Sequence, residues 1–213
     1  MGLSLAAAPP STHVSFVSQT PATFVRPALH VTRFRPETHL QGAVEALLRL
    51  RRAEDLYPPR AEVKATPRDF AYWLLAEGVL GRWVALVDGQ VAGHISLTAP
   101  HPDLADTLAD LEQASPAPSG ICEVSKFFVN PAVQRKGAGT ALFNAALRFA
   151  RSQDLQPALA VMDTSLAARR FFAHHGMTEA GSFRGIHGKS FVFVDGAAQP
   201  VWQQEPAVTG LAA

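Results

Sequence analysis

The residues with the most chemistry in them stand in one run, Glu123-Val124-Ser125-Lys126-Phe127-Phe128-Val129-Asn130-Pro131-Ala132-Val133-Gln134-Arg135-Lys136-Gly137-Ala138-Gly139-Thr140. The run reads as strand, turn, basic glycine loop and helix. Two glycines with only Ala138 between them let successive backbone N–H groups turn toward one point without Cβ obstruction, and the helix that follows adds its positive N-terminal end. That is an anion site, best suited to phosphate. Arg135 and Lys136 put two cations beside it, and Thr140 offers a hydroxyl or an N–H.

Spacing separates three anion-binding templates. In the Walker A pattern a lysine follows the glycines and precedes Ser or Thr, whereas Lys136 comes before them. The dinucleotide pattern G-x-G-x-x-G has Leu142 at its third glycine, and the strand lies several residues away from Gly137, where a dinucleotide turn follows its strand directly. The third template, Q/R-x-x-G-x-G/A after a strand ending in aliphatic-x-Pro, is met by Gln134, Gly137 and Gly139 with Val129 and Pro131 upstream.

The elements that must position this loop are legible in outline. Leu29 to Phe34 alternates as a strand, and Thr38 with Gln41 forms a capping-box pattern opening a helix whose Leu40, Ala43, Val44, Leu47 and Leu48 share one face. Thr66-Pro67-Arg68-Asp69 reads as N-cap, N1 proline and acidic N3 of a short helix that stops before Gly78. Trp83 to Val87 and Gln90 to Leu97 are β-rich runs joined by Asp88-Gly89, a two-residue hairpin signal. Between Ala99 and Gly120 the chain is rich in Pro, Ala and Asp, with Leu104, Leu108 and Leu111 at amphipathic helical spacing. A strand at Ile121 to Val129, a helix from about Gly139 to Arg151, a strand at Ala158 to Met162 and a helix at Leu166 to His175 follow. Two β-rich segments, Ser182 to Ile186 and Lys189 to Val194, close the pattern, which is mixed α and β without internal repeats.

Composition bounds what such a fold can do. The chain has 213 residues, 47% of them hydrophobic and 17% charged, which suits one folded domain. We expect that domain at 28–195, with a flexible N-terminal arm at 1–27 and a flexible C-terminal tail at 196–213. A net charge of +1 leaves no footprint for nucleic acid or an anionic membrane, so neither is expected as a partner. One cysteine, Cys122, excludes an internal disulfide and a site of several cysteines for a metal, and no metal is expected. With no long apolar run and no signal-peptide pattern, the expected location is cytoplasmic. Monomer and homodimer both stay open.

The run around Gln134 to Thr140, with Val91-Ala92-Gly93-His94 before it and Ala168 to Gly176 after it, resembles the GNAT superfamily of acyl-CoA-dependent N-acyltransferases; the resemblance spans roughly Arg82 to Met177. It implies an α/β (α+β) fold, a central mixed sheet of about six or seven strands flanked by about four helices. It also implies acetyl-CoA, or another acyl-CoA, as co-substrate and an amine-bearing small molecule or peptide as acceptor. On the resemblance, the pyrophosphate rests on Gln134, Arg135, Lys136, Gly137, Ala138, Gly139 and Thr140. The pantetheine arm lies along Phe127, Phe128 and Val129, where a bulge parts this strand from the next, and the Phe128 backbone N–H meets the thioester carbonyl. Ser165 and Phe172 occupy positions that face the cofactor in the family.

These last two depart from the family pattern, which carries Asn and Tyr there. Phe172 cannot protonate a leaving thiolate, and for a thiol of reference pKa about 8.5 leaving unprotonated at pH 7 costs roughly 2 kcal/mol. The departure motivates a competing reading, a non-catalytic CoA-binding or sensory module. Glu123 matches a position where some members keep a carboxylate base; an ion pair with a neighbouring Arg is the alternative. Holding a lysine-type amine of pKa about 10.4 neutral at pH 7 costs roughly 4.6 kcal/mol, against about 1 kcal/mol for an α-amine near 7.7. His94 is expected to make a structural hydrogen bond, His174-His175 to cap a helix, Cys122 to be buried, and Tyr57, Tyr72 and Trp73 to pack in the core.

Overall fold

The computed structural model describes residues 28–53, 57–58, 63–64, 66–112 and 120–196. The expected arm at 1–27 and the tail beyond 196 lie outside the described residues, as does the segment 113–119. In chain order the elements are β1 (Leu29–Arg33), α1 (Pro36–Ala53), α2 (Pro67–Leu75), β2 (Val79–Val87), β3 (Gln90–Thr98), α3 (Pro102–Glu112), β4 (Ile121–Val129), α4 (Ala138–Ser152), β5 (Gln156–Met162), α5 (Leu166–His174), β6 (Met177–Gly185) and β7 (Gly188–Asp195).

The seven strands form one sheet in the order β1-β2-β3-β4-β5-β7-β6. Only β4 and β5 run parallel; every other neighbouring pair is antiparallel. The β2–β3 hairpin closes through Asp88 and Gly89, whose φ values of 50° and 78° are the positive pair that a two-residue turn between right-twisted strands requires.

Alternation along the strands sorts the helices to two faces. Trp83, Ala85, Ile95, Leu97, Cys122, Val124, Leu159 and Phe193 point to the face covered by α4, packing on Leu142, Phe143, Ala146 and Phe172. Their neighbours point the other way. Val84 and Phe128 join α1 and α2 in a second cluster, and Ala158, Val192 and Val194 join Leu104 and Leu108 of α3 in a third. Among the described residues, neither cluster takes in the strip of sheet between them.

Several expectations are refined. α1 begins at Pro36, so the Thr38–Gln41 capping box does not form: the Thr38 hydroxyl is 3.5 Å from the Arg35 carbonyl, Gln41 donates to Glu45, and the Arg35 N–H is met by His39 Nδ1. A proline two residues earlier supplies the helical φ at N1 and wins over the later signal. α2 starts as expected, Thr66 accepting from the Asp69 N–H at 3.2 Å. The Leu104–Leu108 spacing does build a helix, α3, so the described residues hold five α-helices, in keeping with the expected mixed sheet flanked by about four.

Candidate active site

β4 and β5 pair only at Ile121 with Gln156, Cys122 with Pro157 and Glu123 with Ala158, after which the two strands part. The cause lies on the other edge of β4. Between His94 and Ser96 the β3 register advances two residues while β4 advances three, from Phe128 back to Ser125. The extra residue is a bulge, and Lys126 takes it up with φ of 49°. A lysine in this left-handed region needs holding, and His94 does so: its Nδ1 donates to the Lys126 carbonyl at 2.9 Å. The expected bulge and the expected structural role of His94 therefore meet in one contact.

That bond fixes the His94 tautomer with the proton on Nδ1, leaving Nε2 buried and without a hydrogen-bond partner. The ring stacks on Phe128 at 5.7 Å and meets the edge of Phe34 at 5.4 Å. Burial drives its pKa down to about 4, more than the bond to Lys126 raises it.

At the mouth of the opened strands sits the N-terminus of α4. Its N-cap is Gly137 at φ of 87°, no side chain caps it, and its first hydrogen bond runs from the Ala141 N–H to the Gly137 carbonyl. The N–H groups of Ala138, Gly139 and Thr140 thus have no intrahelical acceptor. Arg135, also left-handed at φ of 59°, and Lys136 stand exposed beside them, as does Gln134. Gly139 lies under the cleft: a Cβ there would come to 3.5–3.7 Å of Val129, Phe127 and Phe171. The arrangement is a cradle for a polyanion leading into a cleft between β4 and β5.

Aromatic rings line the α4 side of that cleft. Phe127 lies 5.5 Å from Phe171 and 5.9 Å from Phe172, and Phe143 lies 5.4 Å from Phe172. Phe172 is buried among them, so the position where a Tyr was the family expectation is a packing residue here. Ser165 precedes α5 without capping it. His175 caps α5 as expected, Nδ1 to the Phe171 carbonyl at 2.8 Å, and its Nε2 also meets the Thr140 hydroxyl at 3.0 Å, tying α5 to the first turn of α4.

On the opposite face, the strip of sheet between α1/α2 and α3 is polar. Arg82, Ser96 and Ser125 are cross-strand neighbours, and Thr98 pairs with Glu123. The Ser96 and Ser125 hydroxyls are 3.0 Å apart. Among the described residues Glu123 has no Arg partner. Its Oε2 accepts the His101 backbone N–H at 2.8 Å and lies 3.1 Å from His101 Nδ1. The other carboxylate oxygen has no partner among the described residues. Glu123 keeps 15% of its side-chain surface accessible and His101 40%, so a molecule in the groove can reach both.

Lys126 also faces this groove, its Nζ 5.6 Å over the Trp73 ring, which meets Tyr57 edge-on at 5.9 Å. Burial, with Arg82 nearby, brings its pKa down to about 8. Cys122, on the other face, is a buried thiol pushed up to about 11, which suits a small hydrophobe and not a nucleophile. Among the described residues no group of His, Cys, Asp and Glu is arranged to hold a metal ion.

Sequence reasoning did not single out His101, Arg82 or the outward role of Lys126. His101-Pro102-Asp103 carries a signal that would have found the first: proline at N1 with an acidic neighbour marks a helix start, which fixes His101 at its entrance. The other two depend on the bulge, which no local pattern announces.

Residues 46–177 match the model of the Acetyltransferase (GNAT) family. The chain belongs to that family. Transfer of an acetyl group from acetyl-CoA to an amine is accordingly its activity. Solved structures agree on the fold. A GNAT-family acetyltransferase from Streptococcus pneumoniae superposes with a TM-score of 0.56 at 18% identity, covering 78% of this chain and 98% of that one. Arabidopsis thaliana NAA60 in complex with acetyl-CoA gives 0.56 at 15% identity, covering 78% and 97%. The ribosomal-protein-S18-alanine N-acetyltransferase from Escherichia coli gives 0.52 at 15%, covering 78% and 92%. Among curated proteins no sequence matches this one significantly. No helix among the described residues is long and apolar enough to cross a membrane.

Proposed function

We propose that this GNAT acetyltransferase binds acetyl-CoA with its pyrophosphate on the Gln134–Thr140 loop and its pantetheine arm along Phe127, Phe128 and Val129. The acetyl group is then passed directly to an amine standing in the groove on the other face. The observation that carries this reading is the conjunction of an uncapped α4 N-terminus with strands that part beside it. Loop N–H groups, the helix dipole and two exposed cations all favour phosphate at that point.

Each residue then has a bounded task. A β4 backbone N–H that faces the cleft polarises the thioester carbonyl, acting where negative charge develops. The Phe128 N–H, expected in that role, lies on the same edge of the strand as the Asn130 N–H that bonds the Ala92 carbonyl of β3, so the role falls to its neighbours Phe127 or Val129. Glu123 takes the proton of the attacking amine, directly or through a water at its free oxygen, while His101 holds the carboxylate in place. Phe172 has no proton to give, so the thiolate leaves unassisted, a burden of roughly 2 kcal/mol at pH 7. Positioning supplies most of the rate, since two bound reactants in contact react as one molecule. The acceptor is a small molecule or peptide amine, and a near-neutral chain argues against nucleic acid or lipid in that role. A reducing, cytoplasmic setting fits a single free cysteine.

The test is an acceptor screen followed by thiol release from acetyl-CoA. Turnover of at least one amine at enzymatic rates is expected. Tight cofactor binding without turnover of amines, amino acids or peptides would reject catalysis.

A further inference from the structure

Lys126 and Arg82 are the cations on the floor of the acceptor groove, and neither forms an ion pair among the described residues. Both gather at the C-terminal end of α2. Arg82 gives one Nη2 hydrogen bond to the Ala76 carbonyl, while its Nε is buried with no acceptor. The Lys126 ammonium lies over Trp73, half-buried, without an anion. Two like charges drawn out of water together, with donors unspent, are unfavourable unless a counter-charge arrives.

The placement is also held firmly. The left-handed backbone that aims the Lys126 side chain is fixed by the hydrogen bond from buried His94. Lys126 stands two residues before Phe128, no more than about 6–7 Å even along a fully extended strand, and the bulge shortens that. A group held by Lys126 is therefore within one small molecule's length of an amine at the thioester.

We propose that the acceptor amine carries an anionic group, carboxylate or phosphate, and that Lys126 and Arg82 bind this group and set acceptor specificity. This rests on the acetyl-transfer reading of the same groove. It narrows the substrate class to amino acids, amino-phosphates or peptide N-termini with an acidic side chain close by. Charge-assisted hydrogen bonds from an ammonium and a guanidinium supply the discrimination against neutral analogues.

Matched acceptors test it: the common amino acids against their α-carboxamides, and ethanolamine phosphate against ethanolamine, by thiol release with acetyl-CoA. The charged member of at least one pair should show kcat/KM roughly 10- to 100-fold higher, mostly through KM. In Lys126→Met that ratio should fall toward one, and Lys126→Arg should restore most of it. Arg82→Lys gives an independent reading with the cap on α2 less disturbed. Equal rates within every pair, or a preference that survives Lys126→Met, would overturn the proposal; the arm that shows the preference identifies carboxylate or phosphate. If no acceptor turns over, tryptophan fluorescence of the full chain decides. The charged probes should perturb Trp73 and the neutral ones not, with the difference lost in Lys126→Met and Trp73→Phe; no difference overturns the subsite. Failure to bind acetyl-CoA, by contrast, would fall on the acetyl-transfer reading, and the fluorescence titration would still judge the subsite.

Discussion

At the scale of single residues, Glu123 and His94 carry separate predictions, one about chemistry and one about structure. If Glu123 is the base, Glu123→Gln should lower kcat/KM by about 10²- to 10⁴-fold. The loss should be larger for lysine-type amines than for α-amines, because keeping the former neutral at pH 7 costs roughly 4.6 kcal/mol against about 1 kcal/mol. A residue that only anchors His101 would lower all acceptors alike. His94 makes a prediction about stability. Its folded pKa of about 4 lies below the ordinary 6.5, so the unfolded chain takes up the proton first as pH falls. Stability is complete above about pH 6.5 and is lost progressively down to about pH 4, by about 3 kcal/mol in all. Urea unfolding as a function of pH measures this. His94→Asn, which keeps a donor near the Lys126 carbonyl but cannot titrate, should flatten that slope. The side chains that could be read in advance were those inside a spaced motif, such as Gly137, Gly139 and Gln134. His101 and Arg82 reach the groove from separate parts of the chain, and only tertiary structure brings them to Glu123 and Lys126.

At the scale of elements, the cleft depends on a mismatch between β3 and β4 and on the two glycines at the start of α4. They do different work. Gly137 has φ of 87° with nothing closer to a new Cβ than Leu29 at 3.7 Å, so Gly137→Ala suffers backbone strain and not collision. It should cost about 1–2 kcal/mol of stability in denaturant unfolding. Gly139 lies in the helix with room for a methyl group, and the glycine-loop template admits Ala at this position, so Gly139→Ala should leave stability unchanged or slightly higher with acetyl-CoA binding retained. A Gly139→Ala variant that no longer bound acetyl-CoA in calorimetry would contradict this placement of the loop. Strand and helix cores were legible because the alternation and the 3.6-residue spacing are local, and the Asp88-Gly89 hairpin and the Thr66 cap were legible because their chemistry is contained in a few residues. The start of α1 was misplaced because Pro36 outranks Thr38, and the bulge at Lys126 was visible only through the family resemblance, since its cause is the pairing with β3.

For the whole molecule, one sheet carries two candidate sites back to back across β4: the proposed phosphate cradle with its aromatic cleft on the α4 side, and a polar groove with Glu123, Lys126 and Arg82 between α1/α2 and α3. β4 is the shared wall, its bulge opening the first site and aiming Lys126 into the second. Occupation of the cradle should therefore stabilise the fold as a unit, by about 2.7 kcal/mol when acetyl-CoA is present at a hundred times its Kd. Titration calorimetry of the full chain with acetyl-CoA tests the central claim most directly. The account predicts saturable one-to-one binding that Gly137→Glu abolishes, through a carboxylate set against the phosphate site. An absence of heat at high micromolar acetyl-CoA, or undiminished binding by Gly137→Glu, would contradict it.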